Sequence, residues 1–263
     1  MLPVFFNLGP IPVRSYGVLL VIGVLVALAI AKRRAPLFGI SPEKVWESSM
    51  WLVLPGVLGA RVTYVVQHID YYRVHQDQLW SLRFEGLTSF GGILFGFIGF
   101  LVWRKLSKVS TLGFLDTVGV PILVAQAIGR IGCLTNGCCY GRPTHDWYGV
   151  VQGSLPDKHV PAQLIDFAGM LLGALAVTLI ERRKTLRPGA SFGWSFVAYG
   201  ISRFIYEIFR AGTADEFAQG IASSAYIKGT MVTSAQVASL AFSLIGLLFI
   251  IISRRSNTSV KPN

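Results

Sequence analysis

Charge is scarce in this chain. Only 14% of its 263 residues are Asp, Glu, Lys or Arg, where an ordinary soluble domain carries about 25%. Hydrophobic residues make up 52% and the mean hydropathy is +0.56, which excludes a soluble enzyme and indicates an integral membrane protein. Cysteine is almost absent: Cys133, Cys138 and Cys139 are the whole supply. Their C-x4-C-C spacing lacks the paired pattern of a zinc finger, although His145 offers a fourth donor. An odd number with a vicinal pair fixes no disulfide, and small buried thiols packing a tight loop are the plainer reading, so their redox or metal state stays open and no metal is assigned. The first 14 residues have neither a basic start nor a small-residue cleavage site, so the first apolar run is expected to be a retained helix. There is no internal repeat, no low-complexity tract and no soluble domain of any size. The net charge of +11 does not point to nucleic acid, because the basic residues come in short clusters that each close an apolar run.

What is present is a series of long apolar runs. Crossing a hydrocarbon layer of about 30 Å takes about 20 helical residues, and seven stretches qualify: 15–31, 48–67, 87–104, 114–132, 162–180, 190–210 and 234–252. Asp116, Gln126 and Arg130 interrupt the fourth, which is therefore expected to face protein rather than lipid. Four basic groups follow alternate spans: Lys32, Arg33, Arg34 and Lys44; Arg104, Lys105 and Lys108; Arg182, Arg183, Lys184 and Arg187; Arg254, Arg255 and Lys261. The positive-inside rule makes that side cytoplasmic, with the amino terminus outside and the carboxyl terminus inside. Backbone at membrane depth must bond internally, so the expected class is all-α, a polytopic helical bundle. Residues 1–255 read as one membrane domain and 256–263 as a disordered cytoplasmic tail.

A charged side chain at the centre of a span costs about 2.5–3.5 kcal/mol on insertion scales, so the few that occur mark function or pairing. Arg61, Arg130 and Arg203 all fall in the outer halves of their helices in this topology. On the sixth span Tyr199, Arg203, Tyr206, Glu207 and Arg210 form one polar stripe at helical spacing. An Arg203–Glu207 pair at i, i+4 would serve packing alone; a stripe with surplus arginine suits an anionic group at membrane depth, such as a lipid phosphate. Arg61, Tyr64 and His68 share a face of the second span, His68 reading chiefly as an interfacial residue. Tyr16 stands at the outer boundary of the first span, where an aromatic-belt anchor is the default. Gly92, Gly96, Gly99, Gly129 and Gly132 allow close helix approach. Asn136-Gly137 reads as a sharp turn that folds the cysteine loop over the site behind Arg130.

These motifs together resemble the prolipoprotein diacylglyceryl transferase family over nearly the whole chain. "IPVRSYGVLLVIG", "LGARVTYV", "GLTSFGGILFG", "GRIGCLTNGCCYGR", "VPAQLIDF" and "YGISRFIYEIFR" match the family's motifs in order. The resemblance implies transfer of a diacylglyceryl group from phosphatidylglycerol to the lipobox cysteine thiol of a preprolipoprotein, releasing glycerol 1-phosphate. It places catalytic roles on Arg130, Arg203, Tyr16, Tyr199 and Glu207, and substrate binding on Arg130, Arg61, Asn136, Gly91, Gly92 and Arg210. It calls for no cofactor. The partners it implies are phosphatidylglycerol, preprolipoprotein signal peptides and the lipid bilayer, with no nucleic acid, at the bacterial cytoplasmic (inner) membrane. Phe90 stands where well-known members have histidine, so the general base is unassigned; Cys133 and Cys138 depart from asparagine and glutamate of other members. A related transferase with another acceptor, and a non-catalytic phospholipid-binding or transport protein, are the competing readings.

Overall fold

The computed structural model describes residues 4–8, 11–75, 88–152, 157–183 and 186–255. In chain order it contains β1 (Val4–Leu8), β2 (Ile11–Arg14), α1 (Ser15–Arg34), a 3-10 turn (Ala35–Phe38), α2 (Pro42–Gln67), α3 (Ile69–Val74), α4 (Ser89–Ser107) and α5 (Thr111–Asn136). There follow β3 (Val150–Val151), β4 (Lys158–His159), α6 (Ala162–Arg183), α7 (Ala190–Ile208), β5 (Ala211–Gly212), α8 (Ala214–Ala218), β6 (Ser224–Ala225) and α9 (Ser234–Arg255). A long helix lies on each of the seven expected spans. Among the described residues, five helical segments, Ser15–Phe38, Pro42–Gln67, Thr111–Asn136, Ala162–Arg183 and Ser234–Arg254, are long and apolar enough to cross a membrane. The strands pair in three two-stranded pieces, antiparallel for β1 with β2 and β3 with β4, parallel for β5 with β6. They were not anticipated by the all-α reading. All lie outside the apolar runs, where water can satisfy backbone groups that lipid cannot. The expected tail, 256–263, lies outside the described residues.

Two compact units divide the chain: Ile40–Thr111, and Met1–Gly39 with Leu112–Asn263. In the first, α2 and α4 pack through small residues. A side chain at Gly59 would run into Phe95, and one at Gly91 into Thr63 and the Gly59 carbonyl. Pro55 sits inside α2 and has no N–H to give the Trp51 carbonyl one turn back; Gly99 of α4 lies directly against that carbonyl, where any Cβ would collide.

The second unit is organised around α5. Half of its best apolar window is buried, against 17–28% for the other four segments, so it faces protein as its polar interruptions require. Val120, Leu123 and Ala127 of α5 meet Met170, Ala174 and Val177 of α6 in the main core, with Trp194, Ala198 and Tyr199 of α7 packed on it. Glycine backbones let α7 approach α9: Gly200 abuts Ser239 and Ser243, and Gly193 abuts Gly246. Outward apolar side chains such as Leu25, Leu172 and Leu244 remain exposed, as a lipid-facing surface demands.

At the start of α5 a buried polar knot joins four helices. Arg34 of α1 makes a bidentate pair with Glu181 of α6, both nitrogens at 2.7 Å. Its Nε also donates to the Thr117 carbonyl at 3.4 Å. Asp116 accepts from the backbone N–H groups of Gly189 at 2.6 Å and Phe192 at 2.8 Å. That carboxylate thus caps α7, satisfying donors that a helix start leaves open.

Candidate functional site

Toward the other end of α5, three guanidiniums converge on one phenol. The Cζ atoms of Arg130, Arg203 and Arg210 lie 4.6, 4.5 and 4.9 Å from the centroid of the Tyr206 ring. Tyr206 is fully buried, and its hydroxyl donates to the Cys139 carbonyl at 3.0 Å. A ring quadrupole attracts cations at such distances, worth about 2 kcal/mol for a desolvated contact. α7 places Arg203, Tyr206 and Glu207 on one face by helical spacing, Arg210 follows in the turn just after Ile208, and α5 contributes Arg130.

Two buried carboxylates hold the arginines. Asp166 of α6, fully buried, pairs with Arg130 Nε at 2.7 Å and accepts from Ser202 Oγ, also at 2.7 Å. Glu207, 1% exposed, stands 3.9 Å from Arg203 and 3.5 Å from Arg210 and is braced by Thr233 Oγ1 at 3.4 Å. The cluster therefore carries one more positive than negative side chain. Nη1 of Arg203 is buried without a hydrogen-bonding partner among the described residues, a costly state for a cationic donor in the absence of an anion. The arrangement is built to receive acceptor oxygens, and bidentate guanidinium geometry suits those of phosphate.

The cysteine loop closes over this cluster. Gly137, at φ +71°, makes the turn after α5 in the left-handed region that only glycine enters freely. Gln163, wholly buried, donates to the Cys138 carbonyl at 2.7 Å and to Gln152 at 3.1 Å. Cys139 is drawn down to about 5 by the hydrogen bond from the Cys133 thiol, helped by Cys138 and the Arg210 and Arg130 charges, against the opposing effect of burial. The Asn136 side chain approaches the Cys138 sulfur. Tyr16, in the first turn of α1, packs on Gly132, where an added Cβ would stand 3.2 Å from its ring. A Cβ added at Gly129, by contrast, would meet nothing within 4 Å among the described residues, so no close helix approach depends on that glycine there. His145 is exposed and is not part of the cysteine cluster.

Among the residues named from sequence, Arg130, Arg203, Glu207 and Arg210 meet around Tyr206. Tyr16 and Asn136 border the same loop. Tyr199 does not join them: its ring packs in the α5–α6 core and edge-on to Phe242 at 5.3 Å. Arg61, Gly91 and Gly92 belong to the other unit. There Arg61 stacks over Tyr72 at 5.5 Å, and Gly91 and Gly92 lie in the α2–α4 crossing, Gly92 facing Gly56 and Ala60. His68 is exposed, stacked on Tyr64 at 4.2 Å, with Nδ1 at 3.0 Å from the Tyr64 carbonyl. The side chain of Phe90 lies outside the described residues. Sequence reading missed Asp166 and the central place of Tyr206. Asp166 had a signal available, being a carboxylate inside the fifth apolar span.

The known proteins that this chain resembles share one description. Residues 3–252 match the family model described as prolipoprotein diacylglyceryl transferase. Curated relatives named phosphatidylglycerol–prolipoprotein diacylglyceryl transferase include one from Lysinibacillus sphaericus, 29% identical over 99% of this chain and 94% of its own length. One from Streptococcus pyogenes is 26% identical over 96% of this chain and 95% of its own. One from Frankia alni is 32% identical over 80% of this chain, which spans only 58% of that relative.

Proposed function

Because the chain belongs to the prolipoprotein diacylglyceryl transferase family, we infer that it moves the diacylglyceryl group of phosphatidylglycerol onto a prolipoprotein, the first step of lipoprotein lipidation. The acceptor is the thiol of the lipobox cysteine. Its sulfur forms a bond to the glyceryl carbon as the bond from that carbon to the phosphate oxygen breaks. A thioether and glycerol 1-phosphate result, and the thiol proton leaves to phosphate or solvent.

The observation that carries this reading is the triple guanidinium cluster on Tyr206. Negative charge grows on the departing phosphate, and fixed cations in a water-poor site stabilise that change without reorganising. Arg130 and Arg203 hold the phosphate, with Arg210 as a further binding cation. Asp166 and Glu207 orient them. A free thiol of pKa about 8.5 is only a few per cent ionised at neutral pH, and the same positive field favours its thiolate, so a strong base is not required. Tyr16 and Asn136 border the place where donor and acceptor meet. Arg61, Gly91 and Gly92 are supporting binding positions and Tyr199 a supporting catalytic one by family resemblance.

The same reading includes seven spans, with the amino terminus outside and the carboxyl terminus in the cytoplasm, in the bacterial inner membrane. The acyl chains and the signal-peptide helix both reach the site from lipid. Thioether formation on a lipobox peptide, measured with phosphatidylglycerol in detergent or vesicles, tests the assignment. R130A and R203A should each lower the rate by about 10²–10³-fold, the scale of losing one transition-state donor. Wild-type rates in either variant would remove the arginine from the mechanism.

A further inference from the structure

The three thiols form a cluster that the transfer reaction does not use. Cys133 lies in the last turn of α5 and is buried; Cys138 and Cys139 follow the Gly137 turn, half-buried. All three Sγ atoms lie within 4.8 Å of one another. The chain is held to produce this. Cys139 sits at φ +65°, a left-handed conformation costing a non-glycine residue about 1–2 kcal/mol, and three hydrogen bonds fix its surroundings. The Cys138 N–H donates to the Cys133 carbonyl at 3.0 Å, Gln163 to the Cys138 carbonyl at 2.7 Å, and Tyr206 to the Cys139 carbonyl at 3.0 Å. With their carbonyls tied outward, the side chains face each other.

We propose that Cys133, Cys138 and Cys139 bind one thiophilic divalent metal ion of the zinc class through three thiolates, the fourth position being filled by a ligand from outside the chain. Zinc–sulfur bonds of about 2.3 Å in a tetrahedron place sulfurs about 3.8 Å apart, so the cluster needs only small side-chain adjustments to close on an ion. Among the described residues no histidine or carboxylate completes the set, which is the pattern of an open rather than a closed zinc site. All three sulfurs bind as thiolates, any proton they still hold being released to solvent. The resulting anionic centre, two positive charges against three negative, lies near Arg130 and Arg210, which offset it.

The test uses the full-length protein in detergent, reduced with a phosphine, and cobalt(II) as the probe. One cobalt per chain should bind with tetrahedral visible bands and thiolate-to-cobalt charge transfer, be displaced by equimolar zinc, and protect all three thiols from alkylation. C139S should lose part of the charge-transfer intensity and bind at least about tenfold more weakly. The protection measurement on unmodified protein needs no variant, and circular dichroism checks that C139S is folded. Cobalt uptake unchanged in a variant lacking all three cysteines overturns the proposal. So does a disulfide between two of them that re-forms in preference to metal uptake. Neither readout depends on transferase activity, so the site and the assigned reaction fail separately.

Discussion

Tyr206 serves as a common floor for three cations, and its ring and hydroxyl do separable work. Y206F keeps the cation–π surface and loses the hydroxyl's two bonds, one donated to the Cys139 carbonyl and one accepted from Arg130 Nη1 at 3.5 Å; Y206L loses the ring contacts as well. Thioether formation should fall less than about tenfold in Y206F and by about 10²-fold or more in Y206L, three desolvated contacts of up to about 2 kcal/mol each being at stake. Equal losses in the two would assign the effect to the hydroxyl. Asp166 acts through Arg130 and is a positioning residue. D166N should lower kcat by up to about 10²-fold through misplacement while leaving the peptide KM nearly unchanged. A rise in KM alone would mean that Asp166 shapes binding instead. Arginines were legible in the sequence because a guanidinium in an apolar run is conspicuous. The partners were less so: an aromatic ring among apolar residues carries no mark, and Asp166 close to a span's end reads like an interfacial residue until Arg130 is seen against it.

Helix existence was legible and helix length was not. Apolar runs measure lipid thickness, whereas the hydrogen-bond ladder continues into polar residues: α1 runs on through Lys32, Arg33 and Arg34, whose charges favour the carbonyl end of the helix dipole. α2 likewise starts at Pro42, six positions before the apolar stretch drawn from 48. The α2–α4 pair owes its closeness to missing side chains, and G91A forces a methyl group against Thr63 and the Gly59 carbonyl. Overpacking of this kind should cost about 1–3 kcal/mol, read as a lowered midpoint for thermal unfolding in detergent. The short α8 depends on a capping box in which Thr213 accepts from the Glu216 N–H and Glu216 accepts from the Thr213 N–H. That second bond, with the Arg142 charge, holds the Glu216 carboxyl below its ordinary value. A depressed acid stabilises the fold fully above its unfolded pKa of about 4.3 and ceases to do so as pH falls through the lower folded value. Amide exchange at 214–219 should therefore be protected at neutral pH and accelerate only under strongly acidic conditions. Protection lost already near pH 6 would contradict the cap.

Across the whole second unit, α5 carries a stabilising knot near one end and the arginine cluster near the other. Residues 116 and 130 are about 21 Å apart along the helix at 1.5 Å per residue. Stability and chemistry should be separable in consequence. E181Q leaves Arg34 as a buried cation lacking its bidentate partner and should cost about 3–5 kcal/mol of stability. Thioether formation, assayed well below the lowered unfolding midpoint, should stay near the unmodified rate. Pro121 gives the knot a further meaning. It has no N–H to offer the carbonyl of Thr117, four residues earlier, and that is the carbonyl reached by Arg34; Pro55 and Gly99 repeat the theme in the other unit. Pro121 thus exports a bond from its own helix to a neighbour, while Pro55 leaves a carbonyl against which a neighbouring glycine packs. An isolated α5 would leave that acceptor open, so α1 completes α5 as well as packing beside it.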